Sequence, residues 1–422
     1  MNRKAIILLF LANAISGVAQ GISMIAIPWY FAQQQNLAYF GLVYLITNLV
    51  SMIWVPVSGT LVDRYDRKRL FMAVTMTGGL LISLISAAGF MGGGLPDWVV
   101  ATVFALTFLN YNIHYPNLYA FVQEITHREN YSKMTSIMEI LGQAATITAG
   151  ALATLLLEGT EGGILKVFGM EWDIGMDIEA WQIHEIFVVD AITYFVACGI
   201  ISLIVYRPLT ERKSEYGSIL SRLRTGWDYL MQHKPILWFG VLSYMVFLAM
   251  LLEAFYLGVS YVSNHLEESG DVYANSKMAY ALGAIFVGLT LKQLFSKLSL
   301  PMIVTILTFV TAVVFFTQYA TKSIPLFFIV LFVLGISNAG TRIARVTYLF
   351  RNVPNQFFGR AGSIFFLANV MFRIVMIWVF RYAWFQEANN IIYAYLATAV
   401  VLVLAGIMLL RHYKTFDLRR TA

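Results

Sequence analysis

The chain has 422 residues, of which 59% are hydrophobic and only 12% are charged. An ordinary soluble domain carries about 25% charged residues, so this composition excludes a soluble protein and indicates a membrane protein. The formal net charge of +6 fits orientation in a membrane better than binding to nucleic acid. The single cysteine, Cys198, excludes an intramolecular disulfide.

Apolar runs of roughly 20 residues recur along the chain, and each can cross about 30 Å of hydrocarbon as a helix. The runs are continuous rather than alternating, which argues against a membrane barrel. The first run continues to Phe31, longer than the apolar part of a signal peptide, and predicts a retained helix. We expect an all-α membrane protein with twelve transmembrane helices, at 5–32, 38–61, 70–91, 97–124, 132–157, 183–206, 236–262, 274–295, 300–320, 324–350, 358–384 and 389–411.

Most of the 29 lysine and arginine residues lie at the two ends of the chain and in every second connection between these spans. Basic residues are retained on the cytoplasmic face of a membrane. The pattern therefore predicts a multi-pass protein of the inner (plasma) membrane with both termini in the cytoplasm.

A polar, basic segment at 207–234 separates two sets of six spans. We expect an N-terminal half at 1–206, a cytoplasmic linker at 207–234 and a C-terminal half at 235–422. Two equal halves are typical of parallel-repeat transporters, whose binding site lies near the midplane between them. Apolar linker residues recur at helical spacing and predict an amphipathic helix on the membrane surface: Ile219, Leu220, Leu223, Trp227 and Leu230.

A glycine-rich, acidic connection at 158–182 faces the outside in this topology. It would serve either as a lid or as an insertion without a role. Because loops tolerate growth, the insertion is the favoured interpretation.

The connection between the second and third spans carries the most informative motif, Gly59-Thr60-Leu61-Val62-Asp63-Arg64-Tyr65-Asp66-Arg67-Lys68-Arg69. It resembles the loop signature of the major facilitator superfamily of transporters, G-x-L-x-D-R-x-G-R-R/K, with Asp66 where that family usually has glycine. The resemblance implies the major facilitator fold and a cytoplasmic gate formed by Asp63 and Arg67.

Electrostatics supports the same gate. The Asp63 carboxylate, beside Gly59, would lie close to the positive N-terminus of the eleventh helix near Gly359 and hold the halves closed on the cytoplasmic side. The alternative is that the loop only sets topology. We favour a role in the gate for Asp63 and Arg67, and a role only in setting topology for the remaining basic residues of the loop.

Four further segments resemble one branch of that superfamily, the drug and siderophore exporters that include macrolide-efflux and enterobactin-export proteins. They are Ile15 through Tyr30, Pro116 through Gly142, Asp190 through Phe195, and Asn352 through Arg360. The resemblance covers nearly the whole chain and implies proton antiport. Gln20, however, replaces a common acidic residue, and the segment at 105–112 has no arginine of the kind that proton-coupled members use.

Three arginines lie deep within predicted spans. Arg342 precedes the cytoplasmic Arg351 by nine residues, or roughly 13 Å of helix, and Arg345 follows on the same face. Arg373 is near the middle of the eleventh span. A guanidinium in hydrocarbon costs at least about 2.5–3.5 kcal/mol, so such residues normally face a wet cavity. Their planar fork matches carboxylate or phosphate, which predicts an anionic substrate.

Three carboxyl groups within spans are candidates for proton coupling. Two of them, Glu253 and Glu139, could instead form ion pairs with the deep arginines, which is the alternative to substrate contact by those arginines. Glu253 is the best candidate for a protonation switch, because a low dielectric disfavours its charged form whereas a nearby arginine favours it. Asp190 is nearer the outer helix end, where carboxylates often only stabilise the terminus. Glu139 is within reach of the cytoplasmic interface.

Polar residues of the N-terminal half could line a cavity, namely Asn13, Gln20 and His114. A lone membrane histidine more often bonds to a neighbouring helix than acts in function. Tyr256 follows Glu253 in the seventh span. These four residues and the three deep arginines form the predicted substrate-binding set.

No catalytic set, metal-ligand cluster or phosphate-binding glycine loop appears, so we expect no enzyme activity, cofactor, metal or ATP hydrolysis in this chain. The predicted function is secondary active export of a small amphipathic or anionic organic molecule, of the siderophore or drug class, coupled to protons by alternating access. Its partners would be that molecule, protons and the lipid bilayer, without nucleic acid, and the chain would act as a monomer. The alternatives are transport, including uptake, of a lipid-like or phosphorylated anion, and a non-transporting scaffold or sensor.

Overall fold

The computed structural model describes residues 3–127, 130–160, 162–206, 219–387 and 389–416. Long helices dominate these ranges, and the prediction of an all-α membrane protein is confirmed. Within the described residues, ten helical segments are long and apolar enough to cross a membrane. Each of the twelve predicted spans lies in helical structure, but the fourth and eighth carry more polar side chains and fall short of the hydropathy of the other ten.

The chain divides into two compact units, Met1–Tyr216 with Ser269–Met278, and Gly217–Glu268 with Ala279–Ala422. Residues 207–218, the first part of the predicted linker, lie outside the described residues. The predicted division into halves and linker stays a prediction.

The first unit is built from six long helices and a β-hairpin. They are α1 (Arg3–Gln33), α2 (Leu37–Arg64), α3 (Arg67–Gly92), α4 (Asp97–Ile125), α5 (Tyr131–Glu158), β1 (Ile164–Val167), β2 (Met170–Asp173) and α6 (Ile183–Ser202). Helix α1 packs on α5 and α6, α3 packs on α6, and α2 packs on α4. A Cβ atom at Gly21 would lie 2.7 Å from the Cβ of Ala149, so glycine is needed where α1 approaches α5.

The glycine-rich connection at 158–182 contains secondary structure that its glycine content does not suggest. Strands β1 and β2 pair in antiparallel register from Ile164 opposite Asp173 to Val167 opposite Met170. The two linking residues, Phe168 and Gly169, both have positive φ angles, as in a type I′ hairpin turn.

The second unit contains a surface helix and the remaining spans. Its helices are α7 (Ile219–Gln232), α8 (Lys234–Ser243), α9 (Met245–Leu252), α10 (Gly258–Ser260), most of α11 (Gly270–Leu294), α12 (Leu300–Ala320), α13 (Ile324–Asn352), α14 (Asn355–Phe380), α15 (Ala383–Gln386) and α16 (Ile391–Phe416). Helix α12 packs on α13 and α16.

Helix α7 lies in the predicted linker and packs against α14. The Tyr229 ring stacks on Phe357 at 4.4 Å between centroids, and a Cβ at Gly226 would lie 2.8 Å from that of Arg360. Leu230 is buried whereas Leu220 and Trp227 are exposed. The helix therefore packs one apolar side on its own unit and leaves three large apolar side chains exposed, because Met231 is exposed as well.

The segment from Lys234 to Leu266 is an irregular span. It breaks at Tyr244 between α8 and α9, and it contains two π-helical turns, Glu253–Leu257 and Tyr261–Leu266. Short π-helical turns inside α-helices are rare and frequently occur at functional sites.

Candidate functional site

Arg345 is buried, with 5% of its surface exposed, and its guanidinium is held by the junction between α8 and α9. Its carbon Cζ lies 3.7 Å from the centre of the Tyr244 ring, and Nη1 donates a hydrogen bond to the carbonyl of Ser243 at 3.0 Å. A desolvated cation on an aromatic face gains about 2 kcal/mol or more. The Nε atom is buried and has no hydrogen-bond partner within the described part of the chain.

Arg373 reaches the same junction from α14. Its side chain is 1% exposed, and Nη1 donates to Oδ1 of Asn369 at 3.3 Å. Asn369 in turn donates from Nδ2 to the carbonyl of Tyr244 at 3.0 Å. The structure therefore connects two of the three predicted arginines, Arg345 and Arg373, through Tyr244 and Asn369.

A polar stripe runs along α13 toward Arg345. Ser337 and Thr341 precede Arg345 by eight and four residues, which places all three on one helix face over roughly 12 Å. Both hydroxyl side chains are at most 1% exposed, and neither oxygen has a hydrogen-bond partner among the residues described. Buried polar atoms are normally satisfied, so these two hydroxyl groups are exceptions within the second unit. Arg342 lies between Thr341 and Arg345 in sequence and is half-buried.

Glu253 lies in the first π-helical turn and is 1% exposed. Its Oε2 atom accepts a hydrogen bond from the Tyr395 hydroxyl at 2.5 Å, and Oε1 accepts from Nε2 of Gln318 at 3.2 Å. A Cβ atom at Gly258 would lie 3.0 Å from Oε1, so the glycine leaves room for the carboxylate. Two donors from α12 and α16 thus solvate Glu253 inside the second unit. The other predicted residue of this segment, Tyr256, donates to the carbonyl of Phe380 at 3.4 Å.

Asp190 lies in α6 of the first unit and is fully buried. Its Oδ2 atom accepts a hydrogen bond from the hydroxyl of Ser23 in α1 at 2.8 Å. The other oxygen, Oδ1, is buried without a hydrogen-bond partner in the described ranges. This carboxyl group is therefore less well solvated than Glu253, and its charged form is costly. Glu139, the third predicted carboxylate, is half-buried and accepts from Nε2 of Gln143 at 2.9 Å within α5.

The structure brings together two predicted residues of the first unit. Nε2 of His114 lies 2.9 Å from Oδ1 of Asn13, and both side chains are buried between α4 and α1. This contact is a hydrogen bond between helices, the common role of a lone membrane histidine. Gln20, in contrast, donates to Ser16 at 3.0 Å within its own helix.

The predicted gate residues lie at helix ends. Gly59 and Asp63 belong to the last turns of α2, and the side chain of Asp63 lies outside the described atoms. Arg67 begins α3, and its carbonyl accepts from Asn117 at 3.0 Å. Gly359 is exposed near the start of α14. The gate therefore stays a prediction.

Asp66, the departure from the family signature, has a local role. It precedes α3 and accepts a hydrogen bond from the backbone N–H of Arg69 at 2.8 Å, as N-cap residues do. Lys68, two residues after Asp66, donates from Nζ to the carbonyls of Ser202 and Ile204, both at 2.8 Å. Lys68 thus connects this loop to the end of α6. The sequence predicted only a role in membrane orientation for this residue.

Several partners in these sites were not predicted, among them Ser23, Ser337, Thr341, Gln318 and Tyr395. Ser337 and Thr341 could have been found from sequence, since they share the helix face of Arg345 at intervals of four residues. Ser23, Gln318 and Tyr395 contact residues between 65 and 167 positions away. No local pattern indicates contacts at that separation.

Solved structures with this fold are membrane transporters. The chain is similar to nucleoside transporter NupG, at 12% identity over 97% of this chain and 99% of that one, with a TM-score of 0.68. It is also similar to a D-xylose-proton symporter, at 12% identity over 96% of each chain and a TM-score of 0.67. A bacterial homologue of the iron transporter ferroportin has 14% identity over 96% and 98% of the two chains and a TM-score of 0.61. At these identities the likeness shows the fold alone.

Among curated proteins, macrolide efflux protein A of Streptococcus pyogenes is 21% identical over 226 residues, or 53% of this chain. The match spans about half the length of that relative. The model of the family described as Major Facilitator Superfamily matches residues 9–380. The chain therefore belongs to the major facilitator superfamily, and it is a secondary transporter rather than an enzyme.

Proposed function

We propose that this transporter exports a small amphipathic or anionic organic molecule, of the siderophore or drug class, in exchange for protons and by alternating access. The observation that carries the proposal is the buried polar stripe of Ser337, Thr341 and Arg345 in the second unit. Three polar groups on one helix face lack full hydrogen bonding among the described residues. A polar permeating molecule would satisfy them in a state of the transport cycle that opens the stripe to it.

The chemistry of Arg345 favours an anion or a hydrogen-bond acceptor. Its charge is retained on burial, and its cation–π contact with Tyr244 fixes the guanidinium while leaving Nε available. Arg373, linked through Asn369, adds a second positive charge to the same region of the unit. The fixed guanidinium of Arg345, with its unsatisfied Nε, would favour a negatively charged or strongly polar substrate.

Asp190 is the site at which proton binding would have the largest electrostatic effect. Its carboxylate is fully buried, and the Ser23 hydroxyl is its one hydrogen-bond donor among the residues that the structure describes. A proton on Oδ1 would remove the buried charge without disturbing that hydrogen bond. Glu253 would be a second proton site, but two donors stabilise its charged form in place.

Export and orientation rest on two further observations. The matched part of the chain is similar to a protein named for macrolide efflux. Basic residues concentrate at both termini and in alternate connections, which supports cytoplasmic termini in the inner (plasma) membrane. The proposed substrate, protons and lipid would be the partners of a monomeric carrier.

The test is transport in proteoliposomes with an imposed pH gradient. The probes are radiolabelled 2,3-dihydroxybenzoate, a small organic anion, and erythromycin, a macrolide. We expect pH-driven accumulation of at least one probe, with protons moving in the opposite direction as reported by trapped pyranine. If the anion is carried, Arg345→Gln should reduce its flux at least tenfold, because the substitution removes the charge and the planar fork.

Arg351→Gln is the matched control, since Arg351 lies six residues further along α13 and is exposed. It should transport normally. Equal anion flux through wild type and Arg345→Gln would remove the role assigned to the polar stripe. Probe accumulation without proton movement would contradict proton exchange.

A further inference from the structure

The hairpin of β1 and β2 is held in place by backbone hydrogen bonds at the base of its connection. The N–H of Thr160 donates to the carbonyl of Ile178 at 2.8 Å, and the N–H of Trp181 donates to the carbonyl of Leu156 at 2.8 Å. These bonds give the connection a defined structure. A two-stranded hairpin is marginally stable by itself, so a further strand would stabilise this one.

The outer edge of β2 has unpaired backbone groups. In an antiparallel ladder, pairs that exchange hydrogen bonds alternate with pairs whose N–H and C=O groups point to the outer edges. The N–H of Ile174 donates to the carbonyl of Gly163 at 2.8 Å, which marks a pair of the first kind. Counting along the register from that pair, the backbone groups of Glu171 and Asp173 point away from β1. No backbone hydrogen bond reaches them from the ranges that the structure describes.

The edge of β1, in contrast, is covered. Lys166 pairs with Glu171 in the register, so its backbone groups point outward as well. Its carbonyl accepts a hydrogen bond from Nδ2 of Asn275 in α11 at 3.4 Å. Strand β1 also packs against α5. The edge of β2 is therefore the edge to which a third strand can add.

The two faces of the hairpin differ in chemistry, because residues opposite each other share a face. One face carries four apolar side chains: Leu165, Val167, Met170 and Trp172. Met170 and Trp172 are 55% and 57% exposed. Glu171 and Asp173 lie on the other face and are exposed. Exposed apolar surface beside charged residues is typical of protein interaction sites.

Charge decides which occupant fits this edge. Between residues 162 and 182 the chain has four acidic residues and one lysine. A second copy of β2 would place acidic side chains opposite Glu171 and Asp173, and like charges directly opposite each other are destabilising. Anionic lipid headgroups would be repelled in the same way. A basic protein segment would gain an opposite charge at both positions.

We propose that the edge of β2 binds an extended, basic segment of a partner protein as a third, antiparallel strand. The proposed orientation of the chain places this partner on the outer side of the membrane. Basic side chains at alternate positions lie opposite Glu171 and Asp173, and the apolar side chains between them cover Met170 and Trp172. The connection at 158–182 is then a docking site. It is separate from the substrate and proton sites proposed above, so transport by the chain alone does not depend on it.

The test is fluorescence anisotropy of a fluorescein-labelled peptide, KVKVKVK, titrated with the full chain in phosphatidylcholine nanodiscs at physiological salt. We expect saturable binding. The lysines opposite Glu171 and Asp173 exchange backbone hydrogen bonds with them, so methylation of two lysine backbone nitrogens should weaken binding at least tenfold. Methylation of two valine backbone nitrogens, which point away from β2, should change binding less than threefold. Glu171→Lys should weaken binding at least fivefold, because it replaces an attractive pair by a repulsive one.

Glu179→Lys is the matched chain control, since it makes the same charge change at an exposed position beyond the hairpin. It should bind the peptide like wild type, whereas the acidic peptide EVEVEVE should not bind. Equal weakening by lysine and valine methylation, or by Glu171→Lys and Glu179→Lys, would indicate charge attraction without strand pairing and overturn the proposal.

Failure of KVKVKVK to bind would also overturn the proposal, and native mass spectrometry of the same samples identifies the other occupants. A dimer would indicate that a second copy pairs with the edge. A phospholipid retained by wild type and lost by Trp172→Ala would indicate that lipid covers the hairpin.

Discussion

The buried charges of this transporter differ in how completely their surroundings solvate them. Glu253 receives two hydrogen bonds from side chains of α12 and α16. Asp190 receives one, and its second oxygen has no partner in the described structure. Since incomplete solvation makes a buried charge costly, the charge state of Asp190 is the more responsive to a change of conformation.

This difference predicts the effect of Asp190→Asn. The amide keeps an oxygen to accept the Ser23 hydrogen bond but cannot exchange a proton. We expect pH-driven accumulation of substrate in proteoliposomes to fall at least tenfold, whereas exchange of labelled for unlabelled substrate without a pH gradient continues. Glu171→Gln removes an exposed carboxylate from strand β2 and should change neither reading. Loss of both pH-driven accumulation and exchange in Asp190→Asn would indicate a structural role instead.

Residue identity alone predicts which side chains are unusual but not which neighbours they have. Deep arginines stand out because charge is rare within apolar runs, and Arg345 and Arg373 are indeed buried. Their connection through Tyr244 and Asn369 depends on tertiary packing of α8, α13 and α14. Hydropathy carries no information on such contacts, so the predicted set included Tyr256 and omitted Tyr244.

At the scale of elements, apolar run length predicts the helices well and their ends less well. The predicted span 358–384 ends as α14 at Phe380, and the span 183–206 ends as α6 at Ser202. Apolar residues continue beyond both ends, so composition cannot locate the turn. The hairpin of β1 and β2 was not predicted at all, because its four-residue strands are too short to show a clear alternation.

The start of α3 offers a quantitative test of local structure. Asp66 caps the helix by accepting the N–H of Arg69, and loss of such a cap costs about 1 kcal/mol. We expect Asp66→Ala to lower the free energy of unfolding by about that amount in a sodium dodecyl sulfate titration of the purified protein. Asp66→Asn should remain near wild type, and Asp66→Gly, the residue usual in the family, should cost only a few tenths of a kcal/mol.

The order of these three variants is informative. If Asp66→Asn destabilises as much as Asp66→Ala, the charge of Asp66 matters rather than its hydrogen bond to α3. The hydroxyl of Tyr206, which donates to Oδ2 of Asp66 at 3.4 Å, would then be the first contact to examine.

For the whole molecule, composition and one loop motif were sufficient to predict the fold and the superfamily, because a bilayer permits few ways to satisfy the backbone. They do not specify the substrate, which depends on a handful of side chains brought together from distant helices. The orientation in the membrane is predicted less directly than the fold but more directly than the substrate. It follows from the positions of lysine and arginine, and it can be tested without knowing what is transported.

Cysteine labelling provides that test, since the chain has a single cysteine, Cys198, which is buried. In a Cys198→Ala background, Glu171→Cys places a thiol on the hairpin, and Asp228→Cys places one on α7; both positions are exposed. With the termini in the cytoplasm, a membrane-impermeant maleimide should label Glu171→Cys on intact cells, or on spheroplasts where an outer membrane is present. Labelling of Asp228→Cys should be at least tenfold greater after permeabilisation than before it. The reverse pattern would contradict the predicted cytoplasmic termini.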